Sequence, residues 1–364
     1  TFEYATDVDF NHIIGTVNAE VSDPNLPVKV EISGLTPGTD YYYRVTDNAG
    51  DTEIGEFTTA RELGSYNGFR FGATGDWQQA PPYPSLANAA ERDLDLFIKL
   101  GDTIYADLET PALVGVSQAR ELFDFRTKHG EVLTSRVGLN TVPELYASTS
   151  ILATIDDHEL VENFAGGAAP GDSREAPDIG SSDEPLFTDD VEFVNDTEVY
   201  ETALQAYQEY HPLQDRFYGE TGDARTANER QLYRYNTYGS DAAVIVLDSR
   251  SFRDDQIEPL VLNDPNDPNR FLGEAFDPSR TLLGRKQVED LKADLLDAQA
   301  NGITWKFITI PEPIQNFGLL NAEDRFEGYA AERNEILQFI GENDIDNVVF
   351  IAADFHGTIV NNLT

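Results

Sequence analysis

An aspartate directly follows a short apolar segment at four points along this sequence. Each apolar segment has the length and composition of a buried strand. Beyond the aspartates, these four places also contain a tyrosine and two of the five histidines of the chain. Carboxylate, phenol and imidazole groups are ligands for hard or borderline cations such as Fe, Mn, Zn or Ca. The four motifs are Gly75-Asp76-Trp77-Gln78, Gly101-Asp102-Thr103-Ile104-Tyr105, Asp156-Asp157-His158-Glu159 and Asp354-Phe355-His356.

Unpaired carboxylates that lie close together repel one another, and a multivalent cation relieves this repulsion. Taken jointly, the motifs therefore predict a metal centre. Each residue alone also has a structural interpretation: Asp156 could cap a short helix over Glu159, and either histidine could be a hydrogen-bonded core residue. Asp107 and Glu159 are weaker ligand candidates, and Glu159 could instead orient His158.

Apolar strands alternate with amphipathic helices from about residue 69, which is typical of a layered α/β domain. In open sheets of this class, ligands bind at the carboxyl ends of the strands, so the four motifs are expected at a common edge. Long loops are expected at 165–196 and 262–280. The predicted strands are Phe69–Thr74, Leu94–Leu100, Ile151–Ile155, Ala242–Leu247, Trp305–Ile310 and Val348–Ala353. The predicted helices are Ser85–Arg92, Ser117–Lys128, Thr197–Glu209, Arg285–Ala300 and Ala330–Gly341.

Residues 1–62 have a different pattern and predict a small all-β domain. Alternating runs at Val28–Ile32, Tyr41–Val45 and Thr52–Thr58 are separated by turn sequences. The segment Leu35–Val45 resembles the corner of an immunoglobulin-like or fibronectin type III sandwich, in which a tyrosine hydroxyl bonds back to the backbone. The strands are too few for a whole sandwich, so we expect this domain to be truncated at its front.

Composition limits the classes of partner. The chain has 364 residues, with 66 Asp and Glu against 25 Lys and Arg, and a net charge of −41. This excess of acid disfavours nucleic acid as a stable partner and suits a highly hydrated, halophilic-type surface, with calcium sites as the alternative. There is no cysteine, which excludes disulfides and thiolate ligands. No apolar run approaches the length of a transmembrane segment.

The order of the four motifs resembles the calcineurin-like metallophosphoesterases. Further segments are similar to the PhoD-like alkaline phosphatase and phosphodiesterase family. The resemblance implies a four-layer α/β sandwich at 66–364, with an expected truncation at its C-terminus, preceded by the immunoglobulin- or fibronectin III-like domain at 1–62. The segments that carry the closer resemblance are Ile155-Asp-Asp-His-Glu159 with Asn163, Val246-Leu-Asp-Ser-Arg250, Thr281-Leu-Leu-Gly284 and Gly328-Tyr-Ala-Ala-Glu-Arg333.

The family resemblance also implies a site of Fe³⁺ with Ca²⁺. Asp102 would bridge the metals, Tyr105 would bind ferric iron as phenolate, and Asp157 would be a ligand of the second metal. Asp354 and His356 would complete the site, while His158 would face the substrate phosphate as general acid or charge stabiliser. The family often places a cysteine after the first strand. Asp76 is expected in its place, which leaves Zn²⁺ or Mn²⁺ open.

The function implied is hydrolysis of small phosphate monoesters or diesters by in-line attack of a metal-bound hydroxide, in a secreted or periplasmic protein. A phospholipase D-like phosphodiesterase is the alternative within the family. A non-catalytic calcium-binding surface protein is the alternative of another class. Arg250 could add positive charge at the phosphate, or it could pair structurally with Asp248 or a neighbouring acid. The oligomeric state is left open.

Overall fold

The computed structural model describes residues 1–77, 80–134, 141–171, 185–188 and 190–363. The N-terminal region forms one antiparallel sheet of order β2-β1-β3-β4. Tyr41 stacks on Phe57 across this sheet, and its hydroxyl accepts a hydrogen bond from the Thr36 N–H at 2.9 Å. The predicted all-β character and the bond from the tyrosine to the backbone are confirmed. The four strands are β1 (Phe2–Ala5), β2 (Ile13–Val17), β3 (Asp40–Thr46) and β4 (Thr52–Thr58).

The predicted strand at Val28–Ile32 is wrong. This segment lies outside every strand, although its residues alternate between half-buried and exposed. The Lys29 ammonium donates to the backbone oxygens of Gln208 and Leu213, at 2.8 and 3.0 Å. The segment is therefore held against the following domain by side-chain contacts rather than by a ladder of backbone hydrogen bonds.

Two sheets form the centre of the larger domain. The first is parallel, in the order β5-β6-β7, and the second has the order β11-β10-β9-β8, with only β8 antiparallel to its neighbour. The six predicted strands are confirmed to within a few residues at their ends, and β8 is an additional strand. The strands are β5 (Phe71–Thr74), β6 (Leu96–Leu100), β7 (Ile151–Thr154), β8 (Arg234–Tyr238), β9 (Ala242–Val246), β10 (Trp305–Thr309) and β11 (Val348–Ile351).

Helices cover the outer face of each sheet. Leu96, Ile98, Leu100, Val244 and Val246 form the core between the two sheets. Three helices pack on the first sheet, α1 (Leu122–Val132), α2 (Val142–Ser148) and α3 (Glu198–Tyr210). Two helices pack on the second sheet, α5 (Arg285–Ala300) and α6 (Ala330–Glu342). The domain is thus a four-layer α/β sandwich, as expected.

The largest differences from the predicted helices occur where local contacts oppose the helical pattern. In place of Ser85–Arg92 there is a short 3₁₀ helix, Pro84–Leu86, followed by successive i→i−3 turns. Helix α1 begins five residues later than expected, because the Ala119 N–H is bonded to the Ala106 oxygen. The predicted loop 262–280 contains the helix α4 (Asp267–Ala275).

Part of the predicted loop 165–196 lies outside the described residues, namely 172–184 and 189. None of the helices described is long and apolar enough to cross a membrane.

Candidate metal centre

The aspartates that follow β5, β6 and β11 share an unusual backbone conformation. Asp76, Asp102 and Asp354 have φ angles of 53°, 51° and 56°. This left-handed region is uncommon for residues other than glycine, and aspartate tolerates it better than most. Strained positions of this kind cluster at functional sites, where they re-aim a side chain. Gly101 allows the turn after β6 to approach the turn after β7 closely, because a Cβ there would lie 2.5 Å from the Asp156 Cβ.

The strand-end turns bring the candidate ligands into two groups that share one residue. Ligand atoms of Asp76, Asp102 and His356 all lie within 4.8 Å of one another, and so do those of Asp102, Asp157 and His158. Asp102 therefore lies between the two groups. Residues that are distant in the sequence, on both sheets, thus meet at one edge, as the motifs predict. We call this the ligand edge.

Asp76 links the two sheets. Its Oδ2 accepts the Asp354 N–H at 2.9 Å, and its Oδ1 lies 3.2 Å from His356 Nε2. Oδ1 is buried and accepts no hydrogen bond from any described residue. A buried carboxylate oxygen without a hydrogen bond is costly, and a cation would satisfy it.

The charges at this edge fit a cation site. Burial and the neighbouring charge of Asp157 raise the pKa of Asp102 well above its ordinary value. Burial and Asp324 raise the pKa of Asp354 to about 8. Burial also raises the pKa of Asp76, although His356 opposes it. Crowded carboxylates with imidazole nitrogens nearby suit hard or borderline cations, so the residues present fit the metals that the family resemblance implies.

His158 is oriented by Asp107. Its Nδ1 lies 2.8 Å from both carboxylate oxygens of Asp107, and its ring packs on Tyr105 with centroids 4.4 Å apart. Burial lowers the pKa of His158, but Asp157 and Asp107 outweigh this effect and raise it to about 9. Because Nδ1 is held by Asp107, Nε2 is the ring nitrogen available to an ion or a phosphate.

Glu159 has a different role from the one expected of it. Its carboxylate accepts the backbone N–H groups of Asp102 at 3.1 Å, Thr103 at 2.9 Å and Asp156 at 2.9 Å. It thus ties together the turns after β6 and β7. The hypothesis that Glu159 orients His158 is wrong, because Asp107 occupies that place.

Tyr105 lies within the same acidic surroundings. Its side chain is buried, and burial together with the charge of Asp102 raises its pKa above the ordinary value. The neutral phenol is therefore favoured when no cation is bound, and a phenolate at this position requires a cation to offset its charge.

Arg250 lies behind the ligand edge rather than at its surface. Its side chain is fully buried, and its Nε donates to Asp156 Oδ1 at 2.6 Å. Its two terminal nitrogens donate to Asp324 at 3.0 and 3.1 Å, and one of them lies 3.4 Å from Asp157 Oδ2. These contacts give Arg250 the structural pairing role, which was one of the two roles that the sequence allowed for it. Asp248 takes part only by accepting the Arg250 backbone N–H.

Several residues of this ion network have no recognisable sequence signal. Arg253 pairs with Asp324 at 2.6 Å and with Glu312. Both acids lie in a long segment between β10 and α6, without a neighbouring motif. Only their contacts in the folded chain reveal them.

Comparison with known proteins agrees with the fold and the motifs. The sequence matches "PhoD-like phosphatase" over residues 69–364 and "PhoD-like phosphatase, N-terminal domain" over residues 1–61. It is 28% identical to alkaline phosphatase D of Bacillus subtilis (strain 168), and the alignment covers 100% of this chain and 59% of that protein. The chain thus spans less than two thirds of the length of this relative.

Solved structures similar to this one include a structure of PhoD and a plant purple acid phosphatase. The "Structure of PhoD" has a TM-score of 0.70 at 26% identity, and the alignment covers 98% of this chain and 64% of that chain. Purple acid phosphatase PPD1 from yellow lupin seeds has a TM-score of 0.50 at 12% identity, and the alignment covers 96% of this chain and 52% of that chain. This likeness supports the metallophosphoesterase-like fold alone. Since the sequence match extends over both domains, this chain belongs to the PhoD-like phosphatase family.

Proposed function

We propose that this chain is a metal-dependent phosphoesterase that hydrolyses phosphate monoesters, phosphodiesters or both. The observation that carries the proposal is the meeting of Asp76, Asp102, Asp157 and His356 at one edge, with Asp102 common to both ligand groups. Membership in a phosphatase family favours an enzyme over a non-catalytic calcium-binding protein.

The proposed ligands divide between two neighbouring cations. Asp102 is the shared ligand, with Asp76 and His356 in one group and Asp157 in the other. Tyr105 and Asp354 are the further candidates. Fe³⁺ with Ca²⁺ is the proposed pair, since carboxylate and phenolate oxygens are hard ligands, and Zn²⁺ or Mn²⁺ are the alternatives.

Bound cations would offset the charge of the phosphoryl oxygens and promote deprotonation of an attacking water. The chain supplies orientation and proton transfer. His158, held at Nδ1 by Asp107, is positioned to donate a proton from Nε2 to the leaving alcohol oxygen or to stabilise charge on the phosphate. Arg250 acts by fixing Asp156 and Asp157, because its buried guanidinium is already paired with carboxylates.

Hydrolysis of p-nitrophenyl phosphate and of bis-p-nitrophenyl phosphate tests the proposal. We expect turnover of at least one ester, its loss after chelation, and its recovery when Fe with Ca, Zn or Mn is returned. Absence of turnover with every one of these metals would contradict it. Choline release from phosphatidylcholine in a parallel assay would identify the phospholipase D-like alternative.

The identity of the metal has a spectroscopic test. If Tyr105 binds ferric iron as phenolate, the native protein shows a visible charge-transfer band that Tyr105→Phe removes. A colourless, active protein would instead support Zn or Mn.

We also propose an extracytoplasmic location, supported by the family resemblance and by the net charge of −41. Cell fractionation of the native producer tests it. Recovery of the activity only with cytoplasmic markers would contradict this location.

A further inference from the structure

Asn163 is a motif residue to which the proposed chemistry gives no role. It has a φ of 61°, in the left-handed region, and its backbone N–H donates to Asp157 Oδ2 at 2.7 Å. An uncommon backbone conformation that presents a hydrogen bond to a candidate ligand indicates a positioning function. The contacts that hold the Asn163 turn therefore bear on how Asp157 is held.

Gln256 connects this turn to Asp324. Its Nε2 donates to Asp324 Oδ1 at 2.6 Å and lies 3.4 Å from the Asn163 backbone oxygen. The amide nitrogen of glutamine carries two N–H donors, so the same group can serve both acceptors. Gln256 is buried, so the loss of an acceptor for this amide would be costly.

Asp324 also holds the guanidinium of Arg250. Nη1 and Nη2 of Arg250 donate to the two carboxylate oxygens of Asp324 at 3.0 and 3.1 Å, and a bidentate pair of this kind fixes the plane of the guanidinium. Arg253 Nη1 donates to Asp324 Oδ1 at 2.6 Å. Four N–H donors from three side chains thus converge on this one carboxylate.

The position of Arg250 matters because it is close to Asp157. Its Nη2 lies 3.4 Å from Asp157 Oδ2, while its Nε donates to Asp156 at 2.6 Å. Without Asp324, the two terminal nitrogens of Arg250 would be buried donors that have lost their acceptor, which is costly. The guanidinium would then shift toward Asp157 and pair with it in competition with a cation.

We propose that Asp324 is a positioning residue for the cation group that contains Asp157. Through Gln256 it fixes the Asn163 turn, which donates to Asp157. Through its ion pair it keeps Arg250 from capturing the Asp157 carboxylate. This inference rests on the proposed function, and it assigns to Asp324 an effect on one cation group that requires no contact with metal or substrate.

A neutral variant separates this role from a simple effect of charge. As a negative charge alone, Asp324 would attract cations to both groups, and Gln256 would not matter because glutamine is uncharged. As a positioning residue, Asp324 acts on the group of Asp157, and loss of the Gln256 amide weakens the same group. Loss of such an indirect partner of a ligand typically costs about 10- to 100-fold in metal affinity or activity.

Asp324→Asn tests the proposal, with Glu209→Gln as the matched control. Glu209, on α3, also accepts a bidentate arginine, Arg126, at 2.7 and 2.6 Å. It further accepts the Gln205 amide at 2.9 Å, and its side chain is 22% exposed, against 16% for Asp324.

Cation affinity is measured by calorimetric titration of chelator-treated protein with Ca²⁺ and, separately, with Mn²⁺. We expect Asp324→Asn to weaken one of the two cation sites by about 10- to 100-fold and to lower kcat by a similar factor. Glu209→Gln should keep both affinities and kcat at their wild-type values.

Gln256→Leu is the charge-neutral test. It should weaken the same cation site several-fold and leave the other unchanged. Unchanged affinities in either variant, or equal weakening of both sites in Asp324→Asn, would overturn the proposal. If Asp324→Asn does not fold, Gln256→Leu decides the matter alone.

A double variant identifies the ligand through which Asp324 acts. Asp157→Asn should weaken the same site. Adding Asp324→Asn to it should cause little further loss in affinity or kcat, because a neutral amide no longer attracts the guanidinium of Arg250. Losses that multiply in full would contradict an action through Asp157.

The same measurements separate this inference from the proposed function. If the wild-type protein binds cations but hydrolyses no ester, the proposed function fails, while the comparison of affinities still tests Asp324. An active wild type whose cation affinities are unchanged in Asp324→Asn would instead contradict this inference alone.

Discussion

The two sheets contribute to the ligand edge in different ways. The first sheet supplies Asp76, Asp102 and Asp157, and the last two are nearly inaccessible to solvent. The second sheet supplies Asp354 and His356, whose imidazole side chain is 67% exposed. The first sheet thus provides a preformed, buried half of the site, and the second provides an open half.

The difference follows from how the turns are held. In the first half, Glu159 binds three backbone N–H groups and connects two turns. The second half is joined to the first chiefly through Asp76, by the Asp354 N–H and the His356 ring. A change in the first half should therefore affect the whole centre, and a change in the second should affect one ligand group.

The largest effect is expected from Asp102→Asn, because Asp102 belongs to both groups. Loss of its charge should reduce kcat for p-nitrophenyl esters by about 10³-fold and weaken both cation sites. Steady-state kinetics and metal titration measure this, with Asp9→Asn on the surface as the control. An Asp102→Asn protein with more than a tenth of the wild-type kcat would show that the first half is not essential.

His356→Ala should have a smaller effect, limited to one of the two cation sites. It removes a ligand from the open half only, so one cation site should weaken while the site of Asp102 and Asp157 keeps its ion. We expect activity to fall by about 10²-fold. Loss of both ions in this variant would mean that the halves are a single cooperative unit and that the distinction between them fails.

Asp107→Asn tests the orientation of His158 within the buried half. Asparagine can no longer attract the Nδ1–H as a carboxylate does, so kcat should fall by about 10-fold while metal content stays at the wild-type value. Kinetics and elemental analysis of the same sample check this. Loss of metal here would instead place His158 among the ligands.

Most of this architecture is predictable from the sequence because it depends on local patterns. Buried parallel strands are short apolar runs, and their carboxyl ends carry Asp76, Asp102 and Asp157 in recognisable motifs. Ion pairs between residues that are distant in the sequence are harder to predict. Asp324 and Glu312 meet Arg250 and Arg253 only through the tertiary fold, and no periodicity marks them.

The wrong assignments have two different physical causes. At Val28–Ile32 the alternation is real, but it reflects half-burial against the next domain, and no strand is available to pair with it. At Ser85–Arg92 the helical pattern is overridden by consecutive tight turns. Tertiary contacts decided the first segment, and local turn hydrogen bonds decided the second.

A buried carboxylate on a helix beside the second sheet has the smallest expected effect on activity. Glu332, on α6, accepts the backbone N–H groups of Leu282 and Leu283, both at 3.0 Å. Burial raises the pKa of Glu332 from 4.5 to about 7. A raised carboxyl pKa means that the folded state binds the proton more tightly than the unfolded state does. The unfolding free energy therefore falls as pH rises from about 4.5 to 7.

Glu332→Gln should remove this pH-dependent component, which is on the order of 3 kcal/mol, and leave kcat unchanged. Denaturant unfolding of both proteins at pH 5 and pH 8 measures it. A parallel pH dependence in the two proteins would show that Glu332 does not titrate in this range. A loss of activity would show that the open half, too, depends on a buried carboxylate.

The central claim, that strand-end side chains jointly hold cations, is tested most directly by metal stoichiometry. Natively purified wild-type protein and Asp102→Asn should be compared by elemental analysis after identical dialysis. The claim predicts two tightly bound cations per chain in the wild type and loss of both in the variant. Equal metal content in the two proteins, or a wild type without bound metal, would contradict it.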